Sequence, residues 1–224
     1  MAARVVAGLL IAMLIAAQDA GADEQLLTMP AEAFFRIQRV HEPLELSRID
    51  ERLLAAAIFH ETNRRRKRSG LEELAPLQGL QEAAFMHARN MARGGYLSHD
   101  EPGDPRLRTP RDRVSAAGLR PSFVAENVAT QFALQYASGT PFYTGRDESG
   151  AVRFSRSPGG PPIPRHTFAT FAAAVLDEWM GSPGHRKNIL SRQARFLGCA
   201  AARQEPAAPG TIEKLYCAQV FAAF

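Results

Sequence analysis

Three short segments carry side chains that can move protons or hold a cation. They are Leu97-Ser98-His99-Asp100, Ala125-Glu126-Asn127-Val128-Ala129, and the string Trp179-Met180-Gly181-Ser182-Pro183-Gly184-His185-Arg186-Lys187-Asn188-Ile189-Leu190. An imidazole titrates near neutral pH and can ligate a metal, and a carboxylate can orient it or complete a ligand set. Each segment also has an ordinary structural reading. His99 reads as a surface-loop histidine, His185 as a first-turn residue of a short helix capped by Ser182, and Asn127 as a side chain that fixes the backbone at a strand start.

Stricter motifs fail. His60-Glu61-Thr62-Asn63-Arg64 begins like H-E-x-x-H, but Arg64 stands where the second zinc ligand belongs. Gly181-Ser182-Pro183-Gly184 is not a nucleophile elbow, and no phosphate loop, dinucleotide glycine pattern or paired C-x-x-C exists. Most common enzyme classes drop out, though not every hydrolase.

Helical periodicity dominates the elements that must position these groups. Leu53, Leu54, Ala57 and Ile58 mark a helix that begins near residues 47–49 and stops before Gly70. Its last turns hold the basic run Arg64 to Arg68, read as a solvated end that complements the helix dipole, with an anionic surface as the minor alternative. A second helix from about Leu77 to Arg93 aligns Leu80, Ala84, His87 and Met91, so His87 reads as a satisfied core histidine. Thr109-Pro110-Arg111-Asp112 announces a third, short helix that Gly118 ends. Phe168, Phe171, Ala172, Val175, Leu176 and Trp179 form the stripe of a fourth, capped by Thr167.

Two runs in the tail, Phe196 to Ala202 and Leu215 to Phe224, are apolar at nearly every position, as in a sheet covered on both faces. The expected architecture is α+β, a three-layer α–β–α sandwich. Residues 137–164 hold a hairpin pattern followed by a Pro/Gly-rich stretch and read as a surface excursion. Residues 23–47 read as a loosely packed leader.

Composition sets the wider frame. The 224 residues are 46% hydrophobic and 22% charged with a formal charge of +4, which suits one globular domain and does not argue for nucleic acid as a partner. Arg4, the apolar run Val5 to Ala17 and the small residues Ala20-Gly21-Ala22 follow the order of a secretory signal peptide cut near Ala22. That run is short for a membrane-spanning helix. A soluble mature chain, periplasmic or secreted, is expected, with no transmembrane segment. Cys199 and Cys217 could then pair across the tail hairpin, closing a loop worth about 3 kcal/mol in the chain-entropy model; the alternative is two buried free thiols.

The order and spacing of the three segments, after Asn63-x-x-Arg66, resemble the CAP superfamily of cysteine-rich secretory, antigen 5 and pathogenesis-related 1 proteins. The Trp-x-x-Ser-Pro-Gly-His-Arg-x-Asn-Ile-Leu string is similar to its bacterial, SCP-like branch, over about residues 48–224. That resemblance implies an α–β–α sandwich with a cleft lined by two histidines and two acids. Carried over by position, these are His99, Glu126 and His185, while Ser182 stands where the second acid is usual. Glu178, beside Trp179, is a weaker substitute because one helical step turns about 100°. Such a trio could hold zinc through His99, His185 and Glu126 at about 2.0–2.1 Å. Without metal it is a pH-sensitive cluster in which Glu126 favours the first imidazolium and the second meets repulsion. The expected function is a ligand-binding cleft, for a divalent metal, a lipid or sterol, or a cell-envelope component. The alternative is a peptidase-like hydrolase built on the same cluster.

Overall fold

The computed structural model describes residues 24–204 and 211–224, so the predicted signal segment lies outside the described residues. Helix α1, Glu51–Arg68, starts where the Asp50 carboxylate accepts the Leu53 N–H at 2.9 Å. Burial runs unbroken from Leu53 to Asn63, all round the helix rather than along one stripe. The reason is the segment before it. Phe34, Val40 and Leu44 are fully buried in the same core, the Phe34 ring stacks on His60 at 4.5 Å, and His60 Nε2 bonds the Leu26 carbonyl at 2.7 Å. The expected loose leader is thus a lid on the outer face of α1.

Helix α2, Gln78–Gly94, ends at Gly95 in the left-handed region, φ +66°, which glycine adopts without steric cost. Helix α3, Pro110–Ala116, opens with a reciprocal box between Thr109 and Asp112, and α4, Phe168–Gly181, with one between Thr167 and Thr170. Helix α5, Pro183–Ile189, follows at once. Ser182 lies between the two, but its side chain makes no cap to α5, against expectation; Pro183 supplies the preset φ there instead.

The strands are β1, Ala75–Pro76; β2, Phe123–Phe132; β3, Tyr143–Arg146; β4, Val152–Ser155; β5, Phe196–Arg203; and β6, Lys214–Ala223. The main sheet runs β1-β5-β6-β2, with β6 antiparallel to both neighbours, so β2 is an edge. Alternate side chains enter two cores. Leu197, Cys199, Ala201, Leu215, Cys217 and Phe221 pack toward α1 and α4; Ala200, Ala202, Tyr216, Ala218 and Val220 pack toward α2. The α–β–α sandwich is the observed fold. At Gly198 a Cβ would overlap the Leu80 and Gln81 backbone, so α2 rides directly on β5. That approach lets the Gln81 amide hydrogen-bond both the N–H and the carbonyl of Cys199.

The expected disulfide is not formed. Cys199 faces Gln219 across the ladder and Cys217 faces Ala201, which makes the cysteines diagonal neighbours. Diagonal positions sit about 7–8 Å apart, beyond the span of a disulfide. Both are buried free thiols, and burial pushes each thiol well above its ordinary range. The hairpin β3–β4 forms where expected and stands exposed. Among the described residues no helix is long and apolar enough to cross a membrane.

Candidate functional site

Two of the three predicted groups meet directly at the outer edge of β2. His99 leaves the loop after α2, and its Nδ1 lies 2.9 Å from Oε1 of Glu126. Glu126 belongs to β2 and its side chain is 1% exposed, whereas that of His99 is 51% exposed. The second carboxylate oxygen accepts from Arg113 of α3 at 2.7 Å, a pair buried on both sides. Arg113 also donates to the carbonyls of His99, Leu107 and Arg108. One guanidinium therefore fixes both the carboxylate and the loop that carries the imidazole.

His185 arrives from the other helical layer, on α5. Asn127 Nδ2 donates to its carbonyl at 3.2 Å, and Asn188 Nδ2 donates to the Glu126 carbonyl and to Asn127 Oδ1 at 3.1 and 2.9 Å. Behind Asn127 the chain of amides continues through Gln219 to Thr62 of α1. Polar side chains in the middle of β2 and β6 are thus all partnered, as burial requires. A cavity of about 420 Å³ opens beside this junction, lined by His99, Thr109, Pro110, Arg111, Val124, Ala125, Glu126 and Asn188. Ser182 makes no hydrogen bond to His99, Glu126 or His185, and Glu178 lines a different groove altogether.

Two contributors went unread in the sequence. Arg113 sits in a short helix among ordinary charged neighbours, and no spacing rule marks it. His87 does occupy the α2 stripe, but it is not the satisfied histidine expected. Its Nε2 bonds the Ser98 carbonyl at 2.8 Å and lies 3.8 Å from Glu126, while its Nδ1 has no hydrogen bond and lies 3.6 Å from Glu101. Glu101 in turn accepts from Tyr96 and Asn90. A lone ionisable group inside an otherwise apolar stripe was the available signal.

His185 is not among the residues lining the cavity, and the imidazoles of His99 and His185 are shifted in opposite directions. The hydrogen bond to Glu126 raises His99 above the ordinary histidine value, against the pull of burial. Burial lowers His185, and the positive charge on His99 lowers it further. Burial likewise holds His87 down. His99 is accordingly the better cation of the pair, and His185 the neutral base.

The expected zinc set does not fit these donors. Both Glu126 oxygens are committed, one to His99 and one to a buried arginine, so Glu126 is not a third ligand; the Nδ1 bond itself leaves the Nε2 side of His99 open. Among the described residues no group of three or more His, Cys, Asp or Glu could hold a metal ion.

The basic run is also explained by local packing. Arg64 and Arg65 bond Glu61, Arg65 also pairs with Asp177, and Lys67 pairs with Glu32. Arg66 is buried and donates to the carbonyls of Glu72, Ile189 and Ser191, tying α1 to the end of α5.

Comparisons with known proteins bear on the family and the fold. The family model described as CAP: Cysteine-rich secretory protein family matches residues 59–208. A crystal structure of an extracellular protein containing a SCP domain from Bacillus anthracis is similar over 82% of this chain, with 26% identity and a TM-score of 0.52. The matched part is 45% of that longer chain. An outer surface protein from Borrelia burgdorferi covers 74% of this chain and 89% of its own at 15% identity and a TM-score of 0.46. A cysteine-rich secretory protein from Staphylococcus aureus covers 78% of this chain and 40% of its own at 14% identity, also with a TM-score of 0.46. No curated protein matches.

Proposed function

Because the chain belongs to the cysteine-rich secretory protein (CAP) family, we propose that it works outside the cytoplasm as a binding module whose ligand sits at the outer edge of β2. Residues 1–22 would direct export, in keeping with the extracellular description of the Bacillus anthracis relative. The observation that carries the reading is the locked order Arg113–Glu126–His99. It fixes His99 through Nδ1 and leaves Nε2 as the ring nitrogen without a hydrogen-bond partner among the described residues. With its affinity for a proton raised, His99 can donate from Nε2 to an anionic or strongly hydrogen-bond-accepting group, while neutral His185 offers a second contact. Lipid head groups and envelope carboxylates have this chemistry.

The test uses inorganic phosphate and acetate as probes, followed by the backbone amide signals of Ala125, Glu126 and Asn188, which line the same cavity, in an NMR titration at pH 6.5. A saturable shift that disappears in His99→Gln supports the cleft. Absence of saturation, or an unchanged response in the variant, overturns it. One observation favours a second reading, hydrolysis: an imidazole oriented by a carboxylate is what a general base requires. No hydroxyl or thiol is hydrogen-bonded to His99 among the described residues, which leaves that reading behind the first. Turnover of p-nitrophenyl acetate that vanishes in His99→Gln would reverse their order.

A further inference from the structure

We propose that the groove between α4, the end of β2 and the 137–164 excursion is a second binding site, taking a small organic cation with an apolar body. Its volume is about 1000 Å³, at the upper end of small-molecule sites and more than twice that of the cavity at His99.

One wall is aromatic. Phe132 and Tyr136 meet edge to face at 4.9 Å, Tyr136 and Phe142 at 5.6 Å, and Phe154 extends the row from Phe142 at 5.6 Å. In an edge-to-face pair one ring covers a single face of the other, which leaves further π-faces in the row to attract cations. Of the exposed apolar side chains on the adjoining hairpin segment, Phe142 lines the groove, and Tyr143 and Val152 stand outside it. Phe142 is 38% exposed, Tyr143 44% and Val152 47%, all on one short hairpin.

The facing wall is acidic. Asp177 is neutralised by Arg65 at 2.8 Å, but Glu178 has no hydrogen bond or ion pair among the described residues. Its carboxyl is pushed above the usual carboxylate range by desolvation, with no cation contributing. Lys214 of β6 also lines the groove, yet it sits 5.2 Å over the Tyr216 ring and makes no ion pair with Glu178. A carboxylate set against apolar walls without a counter-charge is a place where a ligand cation gains the most. An anion would meet the uncompensated carboxylate of Glu178, and a neutral ligand would leave that charge without a partner. The groove shares no lining residue with the His99 cavity, so the proposal does not depend on the function assigned to that cleft.

The experiment titrates the full folded chain with choline and, as its uncharged isostere, 3,3-dimethylbutan-1-ol, read by amide chemical shifts. Saturable shifts confined to residues 130–142, 174–178 and 211–214 are expected with the ammonium, at least tenfold tighter than with the alcohol. Glu178→Gln, on an exposed position, should weaken the ammonium at least fivefold and leave the alcohol unchanged. Phe142→Ala should weaken it as well, and His99→Gln should leave it alone. Equal binding of alcohol and ammonium, an unaltered Kd in Glu178→Gln, or shifts elsewhere on the molecule would overturn the proposal. Binding of acetyl-Phe-Lys-amide without binding of the small ammonium would also overturn it, in favour of a peptide partner.

Discussion

Two glutamates flank the same edge strand under opposite regimes. Glu126, within β2, is almost wholly out of water, and every one of its oxygens is spoken for by Arg113 or His99. Glu178, beside the far end of β2, stands in a wide groove with no hydrogen bond or ion pair among the described residues. Removing a charge from water is tolerable only where an opposite charge and hydrogen bonds replace the lost hydration. Glu126 satisfies that condition internally and so becomes a fixed part of the scaffold that aims an imidazole. Glu178 leaves it unmet, and its charge stays on offer to whatever enters from solution.

The sharpest way to break this contrast is to strip the inner carboxylate of its charge. Glu126→Gln leaves Arg113 buried without a counter-ion and should cost about 3–5 kcal/mol in urea unfolding. The double variant Glu126→Gln/Arg113→Met should recover much of that loss, since a buried pair replaced by apolar volume is often near neutral. If the single variant were as stable as the parent, the buried lock would be wrong.

A smaller effect follows from His99. Its folded value is raised, so the stability it contributes is fully present below the unfolded value of about 6.5 and fades as pH rises through the higher folded value. Because the side chain is half exposed, the effect is screened and should stay under about 1 kcal/mol. Thermal melts from pH 5 to 9 should show that slope in the parent and lose it in His99→Gln.

The smallest effect belongs to the outer carboxylate. Its folded value is raised too, which for an acid means that ionisation is disfavoured by folding above an unfolded value of about 4.3. Glu178→Gln should therefore leave stability at pH 7 unchanged or slightly higher, within about 0.5 kcal/mol. A loss of several kcal/mol would reveal a structural partner and erase the difference between the two glutamates.

Much of the scaffold was written locally and read as such. Capping residues, glycine stops and the apolar stripes located the four longest-range helices to within a few residues, and the continuous apolar tail disclosed a sheet hidden on both faces. What escaped depends on distant parts of the chain. Strand β2 was noticed only at Asn127, because Glu126 and Asn127 interrupt its apolar run, and their polarity is explained by α3 and α5, which lie far off in sequence. Arg113 escaped for the same reason. The two cysteines were placed on the right strands, but register decides whether they can touch, and register is fixed by the whole ladder rather than by the residues beside each thiol. The leader was misjudged because burial on α1 extends beyond the stripe of Leu54 and Ile58 to the side that His60 presents to Phe34, and that side needed a cover.

The bare Cα of residue 198 has one more effect. Strand β1 is only two residues long, so most of the outer margin of β5 has no neighbouring strand, the kind of open rim at which sheets of separate molecules join. By admitting α2 so closely, Gly198 allows a single glutamine amide to mimic the missing strand and seal that rim at Cys199. Protection against self-association is thereby stored in a side chain, where a point substitution could undo it while the core stays intact.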